Sequence, residues 1–328
     1  ANVNSGAGGP GQNGNNTGAA GSAGAYRNNI VHSSYSALAA GSVTSGNQTI
    51  CAGTTATAIN ANVSTGATNT YVYQWYVTKT ACGNPTSGTG STPNAGWIAI
   101  TANGNTQNLS AAGIAQGIID VGGGTGTFCF QRRTQSVNCY AWTTSVSVIV
   151  NANPVPSVAI TETSGNTNND GNICAGDAAT LTASPNGMTT YAWNNGLPNG
   201  QTQNVTPAST TTYVVTVTNS NNCTATASAT VTVNPLPNNL TPTAQTGTIC
   251  SSTSTNIQIA SSQIGVSYQL RDNSNNANIG GAVSGTGGTI NLSTGTLSTT
   301  TTFNVLATLT ATGCARQLST VTVTVIYP

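Results

Sequence analysis

TYVVTVTNSNNCTATASATVTV, residues 212–233, alternates on both sides of a polar turn. In its second half Ala225, Ala227, Ala229, Val231 and Val233 fall on one side, and Thr226, Ser228, Thr230 and Thr232 on the other. In its first half Tyr213, Val215 and Val217 share a face. Period-2 alternation of apolar and hydroxyl residues predicts strands with one buried and one wet face. Residues 219–222 read as the turn between them and carry Cys223, while ICAGDAATLTA (173–183) sets Cys174 just ahead of the first strand. The reading is a small β-sandwich closed by a disulfide.

Working outward, the same pattern recurs twice. Ile-Cys opens each unit, in TICAGTTATA (49–58), NICAGDAATL (172–181) and TICSSTSTNI (248–257). Phe128, Tyr213 and Phe303 each open a penultimate strand, and Cys139, Cys223 and Cys314 follow ten or eleven residues later. TTSVSVIV, TATASATVTV and STVTVTVIY close the units. The joins NANPVP (151–156) and NPLPNN (234–239) read as short, stiff linkers. Asn-Gly pairs at Asn103, Asn186, Asn195 and Asn199 supply turn chemistry. Residues 1–45 differ, beginning as Gly/Asn/Ala low-complexity sequence that is expected to lie on a neighbouring subunit.

The eight cysteines lack CxxC spacing and neighbouring histidines, so a disulfide framework is expected in place of a zinc site. Repeat register predicts Cys51–Cys139, Cys174–Cys223 and Cys250–Cys314, leaving Cys82 and Cys129 to staple the loop of the first unit. Disulfides imply an oxidising compartment outside the cytoplasm. No apolar run reaches the roughly 18 residues of a membrane helix, so membrane insertion is not expected. Ala1 is read as a processed N-terminus.

Charged residues make up 3% of the chain and the net charge is +1, which leaves no electrostatic footprint for nucleic acid. Uncharged surfaces lack the self-repulsion that keeps copies apart, and strand edges here have only Lys79 to guard them. Both omissions suit packing against copies of the same chain.

Candidate chemistry is sparse. His32, the single histidine, lies in the N-terminal extension with no acid near it, so no catalytic site is expected and the chain is not read as an enzyme. Asp120, Glu162, Asp170 and Asp177 offer oxygen ligands, best grouped in TETSGNTNNDGN (161–172), but ordinary turn formation accounts for the same residues, and no metal or cofactor is assigned. Tyr71, Tyr73 and Trp75 alternate on one strand, with Trp193 and Tyr268 in matching places; these read as core anchors. Tyr76 and Trp97 are the candidates for an exposed or interface role. Asn-x-Ser/Thr triplets at Asn15, Asn47, Asn62, Asn108, Asn204, Asn222 and Asn291 arise readily in a chain rich in Asn and Thr.

ICAGDAATLTA, YAWNNG and TTTYVVTVTNSNNCTATASATVTV together resemble the immunoglobulin-like and PKD-like repeats of secreted Bacteroidota surface proteins. TICSSTSTNIQI, VSYQLRDNSNNANIG and GTGGTINLSTGTLSTTTTFNVLAT resemble repeats of the same adhesins and gliding-associated proteins. The resemblance covers roughly residues 45–328 and implies export by the type IX route and display at the cell surface. It transfers no catalytic or binding residue. The C-terminal sorting domain common in that route is absent from the sequence, so a trimmed chain or a released subunit is expected.

The expected architecture is all-β: three tandem immunoglobulin-like β-sandwich domains (46–153, 154–236, 237–328) behind a Gly/Asn-rich extension (1–45). The expected function is a structural subunit of an extracellular filament or surface layer. It would join copies of itself non-covalently through the extension or a terminal strand, 319–327 included. The alternative is an adhesin stalk binding glycans or surface proteins through loops of the first unit.

Overall fold

The computed structural model describes residues 36–67, 70–80, 82–83 and 85–327. The first unit contains β1 (Gln48–Cys51), β2 (Val72–Thr78), β3 (Ile98–Ala99), α1 (Ala111–Asp120), β4 (Gly126–Ser136), β5 (Cys139–Trp142) and β6 (Val146–Asn151). The second contains β7 (Ser157–Thr161), β8 (Asn172–Cys174), β9 (Ala179–Ser184), β10 (Thr190–Trp193), β11 (Thr202–Val205), β12 (Thr211–Thr218) and β13 (Thr224–Asn234). The third contains β14 (Thr243–Ala244), β15 (Thr248–Cys250), β16 (Asn256–Ile259), β17 (Val266–Asp272), β18 (Val283–Ser284), β19 (Ile290–Ser293), β20 (Thr301–Leu309), β21 (Ala315–Gln317) and β22 (Val321–Ile326).

The second unit shows the plan with least elaboration. One sheet runs β10-β12-β13-β8 and the other β11-β9-β7. β12 and β13 form the expected hairpin, with Tyr213 opposite Ala229 and Val215 opposite Ala227. Along β13 the alanines are half-buried while Thr226, Ser228 and Thr230 are exposed. Leu181 from one sheet and Trp193, Val215 and Val217 from the other meet in a single apolar core. Two sheets sharing a core, antiparallel except where β8 lies parallel to β13, form an immunoglobulin-like sandwich. The third unit repeats the order, β15-β22-β20-β17-β18 over β14-β16-β19, around Tyr268, Phe303 and Ile257.

In all three units the Ile-Cys strand pairs in parallel with the end of the last strand. Cys51 lies opposite Asn151, Cys174 opposite Asn234 and Cys250 opposite Ile326. This register puts that cysteine at the trailing end of its unit, where the chain leaves. The hairpin cysteine sits at the leading end.

The first unit departs from the plan in its second layer, which shrinks to the isolated bridges Ala39–Thr65, Val43–Ala61 and Ile59–Leu109. Residues 36–45, placed by sequence in the extension, are therefore partly built into their own unit, and Ala40 is buried there. Residues 1–35, including His32, lie outside the described residues. Helix α1, which alternation alone gave no cause to expect, is capped by the Ser110 side chain accepting from the Gly113 amide at 3.1 Å. Its signal was present as Ser110 followed by Ile114 and Ile118 one turn apart. Gly117 lets it approach the sheet, since a Cβ there would stand 2.8 Å from the Phe130 ring.

Candidate functional site at the unit junctions

Two of the three disulfides among the described residues join successive units, and the third lies within the first unit. Cys51 bonds Cys223, Cys174 bonds Cys314 and Cys82 bonds Cys129. Cys139 and Cys250 are free and exposed. The expected within-unit pairs Cys51–Cys139, Cys174–Cys223 and Cys250–Cys314 do not form, and the reason is geometric. Cys174 lies beside the last residue of β13 and Cys223 precedes its first, so eleven residues of strand separate them. At about 3.3 Å per residue this is roughly 35 Å, against the ~7 Å a disulfide can bridge. The trailing cysteine of one unit instead meets the hairpin cysteine of the next.

Hydrogen bonds complete each junction. At the first, the Asn219 side-chain amide donates to the Ala152 carbonyl at 2.9 Å, and Asn153 donates to Ala52 at 3.0 Å. At the second, the Asn166 backbone and side-chain amides donate to the carbonyls of Thr312 and Thr310 at 3.1 and 3.3 Å. The loop behind Asn166 is held by the buried Glu162 carboxylate, which accepts from the amides of Ser164 (2.6 Å) and Asp170 (3.0 Å). Ser164 donates its hydroxyl to Asp177 at 2.6 Å and accepts from the Cys174 amide at 2.8 Å, fixing the cysteine's backbone. Hydrogen bonds from the Asn172 side chain and then its backbone amide hold the Asp170 carboxyl below its ordinary range. Three of the four acids weighed as calcium ligands thus serve one junction loop, while Asp120 sits apart, accepting from the Thr101 amide at 2.8 Å. Among the described residues no three His, Cys, Asp or Glu side chains cluster as metal ligands.

Contact at the second junction is close. Gly313 has φ +74°, and a Cβ there would fall 2.7 Å from the Asn166 backbone nitrogen. Gly313→Ala is therefore expected to cost about 1–3 kcal/mol through strain and overpacking. The check is reduction of Cys174–Cys314 by dithiothreitol, which should quicken by about tenfold or more while Cys51–Cys223 reacts at its original rate.

The aromatic candidates divide into those placed as expected and those placed otherwise. Trp75, Trp193 and Tyr268 are buried core anchors. Tyr76 and Trp97, the candidates for an exposed or interface role, are buried at 6% and 4%. The Cys82–Cys129 bond folds the first unit's insertion over the outer face of β2, and Tyr76, Trp97 and Trp142 pack beneath it. Burial raises the Tyr76 phenol above its ordinary value, opposed by the Arg133 guanidinium over its ring. Tyr71 and Tyr73 are half-buried, with Arg132 stacked 4.7 Å from the Tyr73 ring.

No protein-family model matches the sequence, and no curated protein matches it. Solved structures similar to it include a bacterial ice-binding adhesin involved in host cell surface retention (12% identity, 89% of this chain and 97% of that one, TM-score 0.31). The I9–I11 tandem of titin matches at 11% identity over 87% of this chain and 99% of that one, TM-score 0.26. The eight N-terminal Ig domains of the Down Syndrome Cell Adhesion Molecule match at 12% identity and TM-score 0.30, over 89% of this chain and 36% of theirs. At these scores the likenesses carry no argument about function.

Proposed function

We propose that this chain is a structural subunit of an extracellular filament or surface layer, assembling with copies of itself, with domains at 46–153, 154–236 and 237–328 behind an assembly extension. The observation that carries the reading is that both long-range disulfides, Cys51–Cys223 and Cys174–Cys314, run from unit to unit. Ties of this kind do little to stabilise a single sandwich, but they hold a row of sandwiches together under tension. Three cystines belong to an oxidising compartment, and among the described residues no helix is long and apolar enough to cross a membrane. A chain with 3% charged residues has little surface charge to oppose lateral contact between copies.

A terminal strand is the less favoured connector. β22 pairs with β20 over residues 321–323 and with β15 over residues 324–326, so each of its edges is open for only about half its length. The part of the extension before residue 36 is the favoured non-covalent candidate. The alternative, an adhesin stalk, would place its ligand on the exposed tip of the 82–96 insertion, because Trp97 is taken up beneath it.

Electron microscopy of the full chain, concentrated in oxidising buffer, tests the reading. Regular fibres or ordered sheets are expected. Single particles at every concentration, together with glycan binding lost on changing residues 87–92, would establish the stalk instead.

A further inference from the structure

We propose that Cys250 of one copy forms a disulfide with Cys139 of the next, making the assembly a covalent head-to-tail polymer. The inference rests on the assembly reading above and identifies the residues that join its copies. At both internal junctions one rule holds: the trailing cysteine of a unit bonds the hairpin cysteine of the unit that follows. Applied along the chain, the rule uses the trailing cysteines of the first two units and the hairpin cysteines of the last two. Cys139, the hairpin cysteine of the first unit, and Cys250, the trailing cysteine of the third, are left over. They are the complementary halves of a junction whose partner is a second copy of this chain.

The local geometry of the two free halves agrees. Cys250 lies opposite Ile326, and the next residue, Ser251, donates to the Ile326 carbonyl at 2.9 Å. Ala52 and Ala175 make the same bond to Asn151 and Asn234, at 2.8 and 2.9 Å, beside the bonded cysteines. Cys139 begins the returning strand of its hairpin, paired with Ser136, as Cys223 and Cys314 stand at the start of theirs. The bonded hairpin cysteines are fully buried, whereas Cys139 and Cys250 are exposed. Exposed apolar side chains flank both free halves: Val137 at the leading end, and Ile326 and Tyr327 at the trailing end. Formation of the junction would cover them. Within one molecule the two thiols cannot meet, because the series of units holds them at opposite ends.

The bond forms by thiol–disulfide exchange. One thiolate attacks a disulfide oxidant, such as glutathione disulfide or an oxidised dithiol carrier, and expels one thiol. The second thiolate then attacks the mixed disulfide and expels the other. Two thiols lose two electrons and two protons, and the oxidant is reduced to two thiols.

The test uses the full chain with C139S, C250S and an equimolar mixture of the two, each incubated with oxidised and reduced glutathione and run on non-reducing gels. The unaltered chain is expected to give a ladder that dithiothreitol collapses to monomer. Each variant alone is expected to stay monomeric. The mixture should stop at dimer, because each partner then has one usable end, and a peptic peptide should link Cys250 to Cys139. A dimer from either variant alone would mean like-to-like pairing and overturn the proposal. Regular fibres in which both thiols remain free to alkylation would also overturn it while leaving the filament reading intact. Absence of fibres and ladder alike would remove both.

Discussion

Pulled by its two ends in oxidising buffer, the chain is expected to lengthen to only about a third of what it reaches after reduction. Tension follows the shortest covalent path. From the N-terminus it reaches Cys51, crosses to Cys223, runs backwards through the second unit to Cys174, crosses to Cys314 and continues to the C-terminus. About 50 residues lie between Cys223 and Cys174, and roughly 115 lie on the whole path, so at ~3.5 Å per residue it spans ~400 Å. The reduced chain of 328 residues reaches ~1,100 Å on the same scale. Residues 52–173 and 224–313, which include nearly all of the first and third sandwiches, lie off the path and carry no load. Force spectroscopy with and without dithiothreitol measures this directly. Full extension without reductant would show that the units are not tied in series. A protease site placed in 234–239 gives a second readout: the cut chain should run as one piece on a non-reducing gel and as two after reduction.

The second large effect belongs to Arg132. Arg132→Ala is expected to destabilise the first unit by about 3–5 kcal/mol, the range for breaking a buried, hydrogen-bonded charge out of its partners. Its side chain is fully buried on β4, and its terminal nitrogens donate to the carbonyls of Gln107 and Asn62, both at 2.8 Å, and of Ala40. These carbonyls come from the three segments whose sheet has shrunk to isolated bridges. One guanidinium thus replaces a run of ladder bonds, and Ser64 adds a bond to the Ala40 carbonyl at 3.0 Å. Burial lowers the Arg132 pKa, opposed by the Tyr73 ring beneath it, but arginine remains charged throughout the working range. Arg132→Lys keeps the charge and loses the planar fork, and should recover less than half of the loss. Urea unfolding followed by the fluorescence of Trp75, at the centre of the same core, reports the change. A midpoint shift worth under about 1 kcal/mol would mean that the three segments hold without the clamp.

Much of this architecture could be read from residues alone. Alternation in 212–233 requires a two-faced hairpin whatever the rest of the chain does, because side chains two apart on a strand must share a face. Recurrence of Ile-Cys and of the hairpin cysteine marks equivalent places in successive units. Trp75, Trp193 and Tyr268 occupy the core positions that the pattern assigned to them. Arg132 was legible only as one of six bases, because nothing in its neighbours announces that a second sheet has dwindled and needs its carbonyls collected. Trp97 was misplaced for a related reason: an insertion's sequence does not say which face it will cover.

What the sequence by itself determined is the strand content, the sandwich, and which positions correspond from unit to unit. What only the tertiary structure decided is which cysteine meets which. Equivalence in a repeat says nothing about which end of a sandwich a residue occupies. The parallel pairing of each Ile-Cys strand with the close of the last strand sends that cysteine to the trailing end, a full strand length from its own hairpin and within reach of the next.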